Sequence, residues 1–591
     1  MKYENYRSWL LHHLWKQKYL LSFVLVSIIL LTLARNYIPI VIGNIIDNVV
    51  TLGEESRIIG LLLIVLFLYL FNIIMDYVTM MLGHNLGLQV EKNMRKEFFD
   101  LIQIKPLKYH DEAKTGDLQA LATYDLRVVN SMIAHGAFYV YPFVQVIIAT
   151  LFLISILNFS LGLFFLPFLI VYIYTIMLYR KWVTPYVSKR MKKHSNMAVK
   201  LQDNITGASV VRSFSNKDLE RKKFHKAVNG FRDNWIGENL VQAKYYPLLV
   251  LYVAIGFMLL GSIYFYLQGM IPLGTLVSIN LLLVTLINPT NTIHWATRDM
   301  MSGFAACNRV FKSLIKDIES ENKERKKISW PDDFRGKIEF INVDFSYGNS
   351  KEDYPLVLEN LNFIIEPEER VALVGPTGCG KTTLVKLILS LYEPEKGRIL
   401  LDGKDIRELP KDTLRKHIAY VEQDTYLFPR SIKENIRFGN PDASDEKIEE
   451  VAKLAQVDEF VKTLPNKYET IVGERGTKLS GGERQRVSIA RALLTDPDVV
   501  ILDDSVSAID SKTEEKIGKA IENILKNRTT IIITHRLHKI RTADKIIILK
   551  EGKIKAIGDH DNLIVESPDY RRIFQKQLEL PKIKLERIER S

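Results

Sequence analysis

The sequence predicts two parts in one chain, a membrane α-helical bundle with six transmembrane helices fused to an α/β domain of the P-loop type. Three observations predict this fold class. Long apolar runs fill the first half of the 591 residues, and a glycine-rich stretch in the second half follows a strand-like run. Short strands and helices alternate around that stretch, as in an α/β domain. A chain of this length is expected to hold more than one domain.

Composition narrows the class of protein further. Hydrophobic residues make up 47% of the chain, and the formal net charge is +12. A basic balance is also typical of nucleic-acid binding. Here the Lys and Arg residues cluster beside apolar runs, so the positive-inside rule explains them better and no nucleic-acid partner is expected. The two cysteines, Cys307 and Cys379, do not predict a structural disulfide.

Six apolar runs are long enough to cross a hydrocarbon core of about 30 Å as helices. They are residues 19–42, 58–82, 138–158, 161–182, 246–267 and 273–295. The last contains Asn288-Pro289, which predicts a kink. Residues 1–18 are expected to form a cytoplasmic or interfacial segment without a cleavable signal peptide, so the transmembrane domain is predicted over 19–314.

The loops between these runs alternate in length. Residues 83–137 and 180–245 are long, rich in Lys and Arg, and helical in pattern, whereas the other connections are short. The positive-inside rule places the two long loops and both termini in the cytoplasm. The sequence therefore predicts a multi-pass protein of the cell membrane.

Charged residues inside the predicted spans are expected to face the bundle interior, because charge in lipid is costly. Arg35 and Asp76 are two such residues. The helix rise places Arg35 about 10 Å nearer the outer face than Asp76, so we do not expect a direct pair. One interpretation is that these residues line a polar substrate cavity. The other is that they form polar contacts between helices, and for any single residue we favour this second interpretation. The cavity would include, near its cytoplasmic end, His294, Trp295, Arg298 and Asp299.

The second half is predicted to be a soluble domain over 331–580, joined through a charged linker, 315–330, and followed by a tail, 581–591. Its apolar runs predict a parallel sheet covered on both faces. The strand-like runs are 338–340, 370–374, 418–421, 499–502, 530–533 and 545–549.

The glycine-rich stretch has the spacing G-x-x-x-x-G-K-T between a strand and a helix, which predicts a polyphosphate site and so an α/β P-loop nucleotide-binding domain. Its residues are Gly375, Pro376, Thr377, Gly378, Cys379, Gly380, Lys381 and Thr382, followed by Thr383. Glycines let backbone N–H groups turn toward phosphates. Lys381 is expected to bind the β- and γ-phosphates of ATP, and the Thr382 hydroxyl is expected to bind Mg²⁺. Asp503 ends a buried strand and is a second Mg²⁺ candidate.

A second glycine motif, Ser480-Gly481-Gly482, opens a helix. Ser480 and Glu483 have capping-box spacing, so an ordinary helix start is one interpretation. The other is that Ser480 and the adjacent amides face a γ-phosphate bound to a second subunit, and the two glycines favour it. His535, at the end of a strand, is a further candidate for that phosphate.

Taken together, these motifs resemble the nucleotide-binding domain of ABC transporters, and the whole chain resembles an exporter-type half-transporter. The resemblance makes 375–382 the Walker A loop, Asp503 the Walker B aspartate and 479–485 the family signature. It implies that Tyr347 stacks on adenine, that Gln423 of the Q-loop serves catalysis and Mg²⁺ binding, and that His535 is the switch histidine. Residues 507–510 match the D-loop, 473–476 the exporter X-loop, and 115–118 and 205–214 the two intracellular loops.

The resemblance also implies a mechanism and partners. Two ATP molecules would bridge a dimer with a second half-transporter, and domain closure would drive alternating access and export of a small amphipathic molecule through the bilayer. An ABC-type regulator or ATP-gated protein without net transport is the alternative. The six spans argue against a soluble ABC ATPase acting on ribosomes or DNA, and the fusion of the two parts makes an importer less favoured.

One position departs from the family pattern. Asp504 follows the Walker B aspartate, where the family usually has a glutamate that activates the attacking water. In heterodimeric exporters this replacement marks the slow site, so a heterodimer is favoured. A homodimer that hydrolyses ATP slowly through Asp504 is the other possibility.

Overall fold

The computed structural model describes residues 3–48, 58–113, 115–157, 159–244, 247–315, 330, 334–348, 355–503, 527–534 and 536–574. The chain divides into two compact units. The first comprises Met1–Lys105 and Ala113–Glu321, and the second comprises Pro106–Glu112 and Asn322–Ser591. A short segment from the first long loop therefore belongs with the second unit.

The first unit is helical, as its apolar runs predict. Its helices include three of more than 30 residues, each of which joins an apolar stretch to one of the polar loops. The helices are α1 (Tyr6–Lys16), α2 (Lys18–Ile46), α3 (Ile58–Gln103), α4 (Leu107–Glu112, in the second unit), α5 (Thr115–Ala120), α6 (Leu126–Leu157), α7 (Phe159–Thr206), α8 (Ala208–Ser213), α9 (Lys217–Lys244), α10 (Pro247–Leu267), α11 (Leu273–Val284) and α12 (Ile287–Ile315).

Within the described residues, five helical stretches are long and apolar enough to cross a membrane. They cover the first, second, fourth, fifth and sixth predicted spans: Lys18–Ile46, Ile58–Gln103, Phe165–Thr206, Leu248–Leu267 and Leu273–Thr292. The third predicted span lies in α6, whose described apolar stretch, Tyr141–Ser155, is shorter.

The predicted kink in the last span is a break between two helices. α11 ends at Val284 and α12 begins at Ile287, just before Pro289. A proline in the first turn of a helix costs little, because the N–H it lacks has no partner within the helix. The interruption therefore lies a few residues before the proline.

The prediction that Arg35 and Asp76 do not pair directly is wrong. The Arg35 guanidinium donates a hydrogen bond to Asp76 Oδ2 over 2.7 Å and links α2 to α3. The offset of about 10 Å assumed helices that end at one level. The 2.7 Å contact shows that the two side chains reach each other despite this expected offset.

The polar residues that the sequence predicts at the cytoplasmic end of the last span form contacts between and along helices. Asp299 lies 3.3 Å from His135 Nδ1, which joins α12 to α6. The Arg298 guanidinium lies 3.7 Å from Asp299 and 4.2 Å from the centre of the Trp295 ring. These contacts agree with the favoured interpretation of polar packing, while the side chain of His294 lies outside the described residues.

Helices α2 and α11 pack closely through small residues. A Cβ atom added to Gly43 would lie 1.9 Å from Ser278 Oγ and 2.4 Å from the Gly274 carbonyl oxygen. Asp47 Oδ1 accepts a 2.7 Å hydrogen bond from the Gly274 N–H at the start of α11. Small residues let helix backbones approach and gain packing energy in a membrane bundle.

The described residues of the second unit form two β-sheets. The larger has the order β10-β9-β3-β8-β7-β6, in which the strands from β9 to β6 are parallel and β10 is antiparallel. Its strands are β3 (Arg370–Val374), β6 (Ile418–Val421), β7 (Val499–Asp503), β8 (Thr529–Ile533), β9 (Lys545–Lys550) and β10 (Lys553–Gly558). Five of the six strand-like runs in the sequence lie here, so the parallel sheet is confirmed.

The remaining predicted strand, 338–340, was assigned to the wrong sheet. It lies in β1 (Ile338–Phe345), part of a separate antiparallel sheet with the order β2-β1-β4-β5. The other strands are β2 (Leu358–Ile365), β4 (Lys396–Leu401) and β5 (Lys404–Asp405). β1 alternates buried and more exposed positions, as expected of a sheet with one covered face.

The helices of the second unit surround these sheets. One apolar core lies between the two sheets and the helix after β3, and another lies under the helices between β6 and β7. The helices are α13 (Lys381–Ile388), α14 (Lys411–His417), α15 (Ile432–Arg437), α16 (Asp445–Leu454), α17 (Val457–Val461), α18 (Gly481–Leu493), α19 (Leu537–Ile540), α20 (His560–Glu566) and α21 (Pro568–Phe574).

The close approach of α2 and α11 yields a stability prediction. Gly43→Ala should destabilise the membrane unit by about 1–3 kcal/mol, because the added methyl group overlaps the Gly274 backbone. The measurement is the thermal unfolding midpoint in detergent. Gly256→Ala on α10 is the control, since a Cβ there meets no atom within 4 Å. Equal midpoints for the two variants would contradict the prediction.

Candidate nucleotide-binding site

The glycine-rich loop connects β3 to α13, as the motif predicts. Gly378 and Gly380 have φ angles of +81° and +109°, which favour glycine. A Cβ atom at Gly380 would lie 2.6 Å from Leu358, and one at Gly375 would lie 2.0 Å from the Leu549 carbonyl oxygen. Conformation and space therefore both require glycine in this loop.

The side chain of Lys381 folds back over the backbone of the loop. The Lys381 ammonium group donates hydrogen bonds to the carbonyl oxygens of Gly375, over 2.8 Å, and Pro376, over 3.0 Å. It thus supplies a positive charge where backbone N–H groups and the start of a helix already favour an anion.

A hydroxyl and a carboxylate meet beside this loop. Thr382, in the first turn of α13, donates a 3.0 Å hydrogen bond to Asp503 Oδ2 at the end of β7. The same carboxylate oxygen accepts a 3.2 Å bond from the Tyr420 hydroxyl. Burial, followed by the negative charges of Asp503 and Glu422, raises the pKa of Tyr420, so its hydroxyl remains a donor at neutral pH. The predicted pair of Mg²⁺ residues is therefore brought together.

The chemistry of this pair fits magnesium. Hydroxyl and carboxylate oxygens are the hard ligands that Mg²⁺ prefers, and it usually takes one or two protein ligands together with phosphate oxygens and water. Gln423, the third predicted Mg²⁺ residue, is exposed just after β6, beside Glu422, whose pKa is raised by burial.

An aromatic side chain borders the loop from the antiparallel sheet. Tyr347 follows β1, is partly buried, and has its hydroxyl 2.9 Å from Thr383 Oγ1. The Phe345 and Tyr392 rings meet the Tyr347 ring nearly edge to face, with centres 5.0 Å and 5.2 Å away. Tyr392 was not among the predicted site residues, because its place shortly after a helix does not indicate which distant ring it contacts.

The second glycine motif opens α18 with a capping box. Ser480 Oγ accepts from the Glu483 N–H over 3.3 Å, and the Ser480 N–H donates to Glu483 Oε2 over 2.7 Å. The ordinary helix start is thus present, with Ser480 exposed at the helix end. Gly481 and Gly482 form the first turn. Ser480 forms these hydrogen bonds within its own helix and not with the loop at 375–382.

Three predicted features lie outside the described residues. They are Asp504, His535 and the 507–510 segment. The linker after Ile315 and the tail from 575 are also outside, apart from Trp330 at the linker's end.

Comparison with known proteins agrees with this geometry. Residues 358–507 match the ABC transporter family, and residues 21–290 match the ABC transporter transmembrane region. An ABC transporter ATP-binding protein of Bacillus subtilis (strain 168), YwjA, is 31% identical over 547 residues, which cover 91% of this chain and 93% of that protein. The chain belongs to the ABC transporter family.

Further similarity connects this ABC transporter to exporters. An ATP-dependent lipid A-core flippase of Legionella pneumophila (strain Paris) is 34% identical over 501 residues, covering 83% of this chain and 82% of the flippase. A bacterial Atm1-family ABC exporter, solved with ATP bound, superposes with a TM-score of 0.83 at 25% identity, covering 95% of this chain and 98% of that one. The fold class is therefore confirmed as an ABC transmembrane helical region fused to an ABC nucleotide-binding domain.

The position of Lys381 yields a binding prediction. Lys381→Met should weaken ATP binding at least about tenfold, because it removes a charge-assisted contact to phosphate. Calorimetry on the purified chain measures the dissociation constant. Lys447→Met, which removes an exposed lysine on α16, is the control and should bind like the wild type. Unchanged affinity in Lys381→Met would exclude this loop as the phosphate site.

Proposed function

We propose that this ABC transporter exports a small amphipathic molecule, such as a drug, a lipid or a peptide-like compound, across the cell membrane. The observation that carries the proposal is the presence in one chain of long apolar helices and a nucleotide-binding unit in which Thr382 and Asp503 meet. The similarity to a lipid A-core flippase and to an Atm1-family exporter supports export. The substrate class goes beyond these comparisons.

The nucleotide site works through residues of several elements. Lys381 and the N–H groups of the loop at 375–382 bind the phosphates of the substrate ATP, and Tyr347 stacks on its adenine. Thr382, Asp503 and Gln423 would hold Mg²⁺. The ion, when bound, neutralises charge on the transferring phosphoryl group.

Hydrolysis depends on groups that orient water at the γ-phosphate. Asp504 orients the attacking water, and His535 contacts the γ-phosphate. In such a site a misplacement of about 1 Å costs on the order of a hundredfold in rate. Asp504 is one methylene shorter than glutamate, so it is a poor base for this step.

A second half-transporter completes the site. Ser480, Gly481 and Gly482 of one chain face the phosphates bound to the other, and the exposure of Ser480 supports this role. ATP binds the closed pair of domains better than the open pair, so it shifts the equilibrium toward closure. Hydrolysis removes the bridging contacts and the pair opens, which gives the membrane helices two alternating arrangements.

The replacement of glutamate by Asp504 favours a heterodimer. The chain's own Walker residues then form the slow site with the partner's signature, and its Ser480-Gly481-Gly482 complete a competent site on the partner. The nucleotide-binding domain and both termini lie in the cytoplasm, as the basic loops 83–137 and 180–245 indicate.

Asp504→Glu tests the slow-site proposal. The purified wild-type chain should hydrolyse ATP slowly, and the variant should gain at least about tenfold in turnover, because glutamate reaches the attacking water. The measurement is phosphate release in detergent or lipid. Asp561→Glu, which lengthens an exposed aspartate of α20 outside the ATP-binding motifs, controls for a general effect of the added methylene group. Brisk wild-type turnover with little change in Asp504→Glu would favour a working homodimer.

Transport itself is tested in inside-out vesicles. Vesicles from cells that carry the wild-type chain should accumulate a fluorescent phospholipid or an amphipathic dye against its gradient when ATP is added outside. Vesicles with Lys381→Met should accumulate much less of the probe, because the variant binds ATP more weakly. ATP-dependent movement that only equilibrates the probe would instead support the alternative, an ATP-gated protein or regulator without net transport.

A further inference from the structure

Helix α4 (Leu107–Glu112) belongs to the nucleotide-binding unit although it lies roughly two hundred residues before the rest of that unit. Leu107 packs against the apolar core that contains β1, β3 and α13. Asp111, near the end of α4, contacts the side chains of Tyr392 and Lys386 in the same unit. The segment is therefore part of the wall of this unit, close to the residues that border the nucleotide loop.

Asp111 holds two side chains at once. The buried Tyr392 hydroxyl donates a hydrogen bond to Asp111 Oδ2. The Lys386 ammonium group lies 3.9 Å from the same oxygen. Burial and then Asp111 raise the pKa of Tyr392, so its hydroxyl stays protonated and donates at neutral pH. Asp111 itself is half-exposed, so the ion pair alone contributes little.

Both partners of Asp111 touch Tyr347. The Tyr392 ring meets the Tyr347 ring edge to face, with centres 5.2 Å apart and planes at 88°. The Lys386 ammonium group lies 5.8 Å from the centre of the Tyr347 ring and 5.7 Å from that of Tyr392. Edge-to-face pairs and cation–π contacts each fix ring orientation as well as adding attraction.

We propose that Asp111 is a positioning residue for the nucleotide base, because it fixes Tyr392 and Lys386 and through them the Tyr347 ring. The inference rests on the proposed role of Tyr347 as the adenine platform. We call Asp111, Tyr392, Lys386 and Tyr347 the base-support cluster. The affinity of the site for adenine then depends on whether α4 is seated.

The test separates the base from the phosphates. Asp111→Ala in the full-length chain should raise the dissociation constant of ATP about fivefold, since it removes a hydrogen bond and an ion pair that hold Tyr392 and Lys386 beside Tyr347. Inorganic tripolyphosphate, used at millimolar concentrations as a competitor of ATP, lacks the base, so its inhibition constant should not change. Calorimetry gives the first constant, and competition gives the second.

Further variants keep the test decisive. Tyr392→Phe retains the ring and loses only the hydroxyl, so it should fold and show a smaller change of the same kind. In a Tyr347→Ala background, Asp111→Ala should have no added effect, because the ring it positions is gone. Tyr468→Phe, which removes a similar 3.1 Å bond to Asp458, and Asp100→Ala, an exposed carboxylate of α3, are controls that should bind like the wild type.

Two results would overturn the inference. One is an equal weakening of ATP and tripolyphosphate in Asp111→Ala. The other is an Asp111→Ala effect of unchanged size in the Tyr347→Ala background. Either result would mean that α4 packs on the nucleotide-binding unit without influencing how the base binds. A wild-type chain without any affinity for ATP would instead refute the proposed function, which is a different outcome.

Discussion

The nucleotide-binding unit depends on how tightly its loop is held between the two sheets. Gly375 lies against the Leu549 backbone of β9, and Gly380 lies against Leu358 of β2, so the loop contacts the parallel sheet on one side and the antiparallel sheet on the other. Backbone amides can point at phosphate only if the loop keeps this path. The positions of Lys381 and Thr382 follow, because both residues open the helix that the loop ends in.

In the membrane unit the governing constraint is that polar groups need partners inside the bundle. Arg35 pairs with Asp76, and Asp299 pairs with His135. Each contact joins two different helices, so the polar groups also fix which helix faces which. Small residues act in the same way where Gly43 meets Gly274, since only they allow the backbones to approach.

Sequence patterns predicted local features well and non-local ones poorly. The loop at 375–382, the parallel strands and five long apolar helices were found because each depends on neighbouring residues. The antiparallel sheet and the Arg35–Asp76 pair were missed, because strand partners and the relative height of two helices depend on distant parts of the chain. Tyr347 was predicted from its motif, whereas Tyr392, whose ring packs against that of Tyr347, lies outside the motifs described above. Asp504, His535 and the partner's signature remain predictions.

The seating of α4 also has a consequence for how the protein is made. This segment leaves the ribosome long before the sheets it packs on exist, because roughly two hundred residues separate it from the second unit. Leu107 and Asp111 can therefore form their contacts only after β1, α13 and Tyr392 have been synthesised. A fragment that starts at the linker would fold without this cover and expose the apolar surface beneath Leu107. The ATPase unit thus reaches its finished surface only late in synthesis, once both halves of the chain are present.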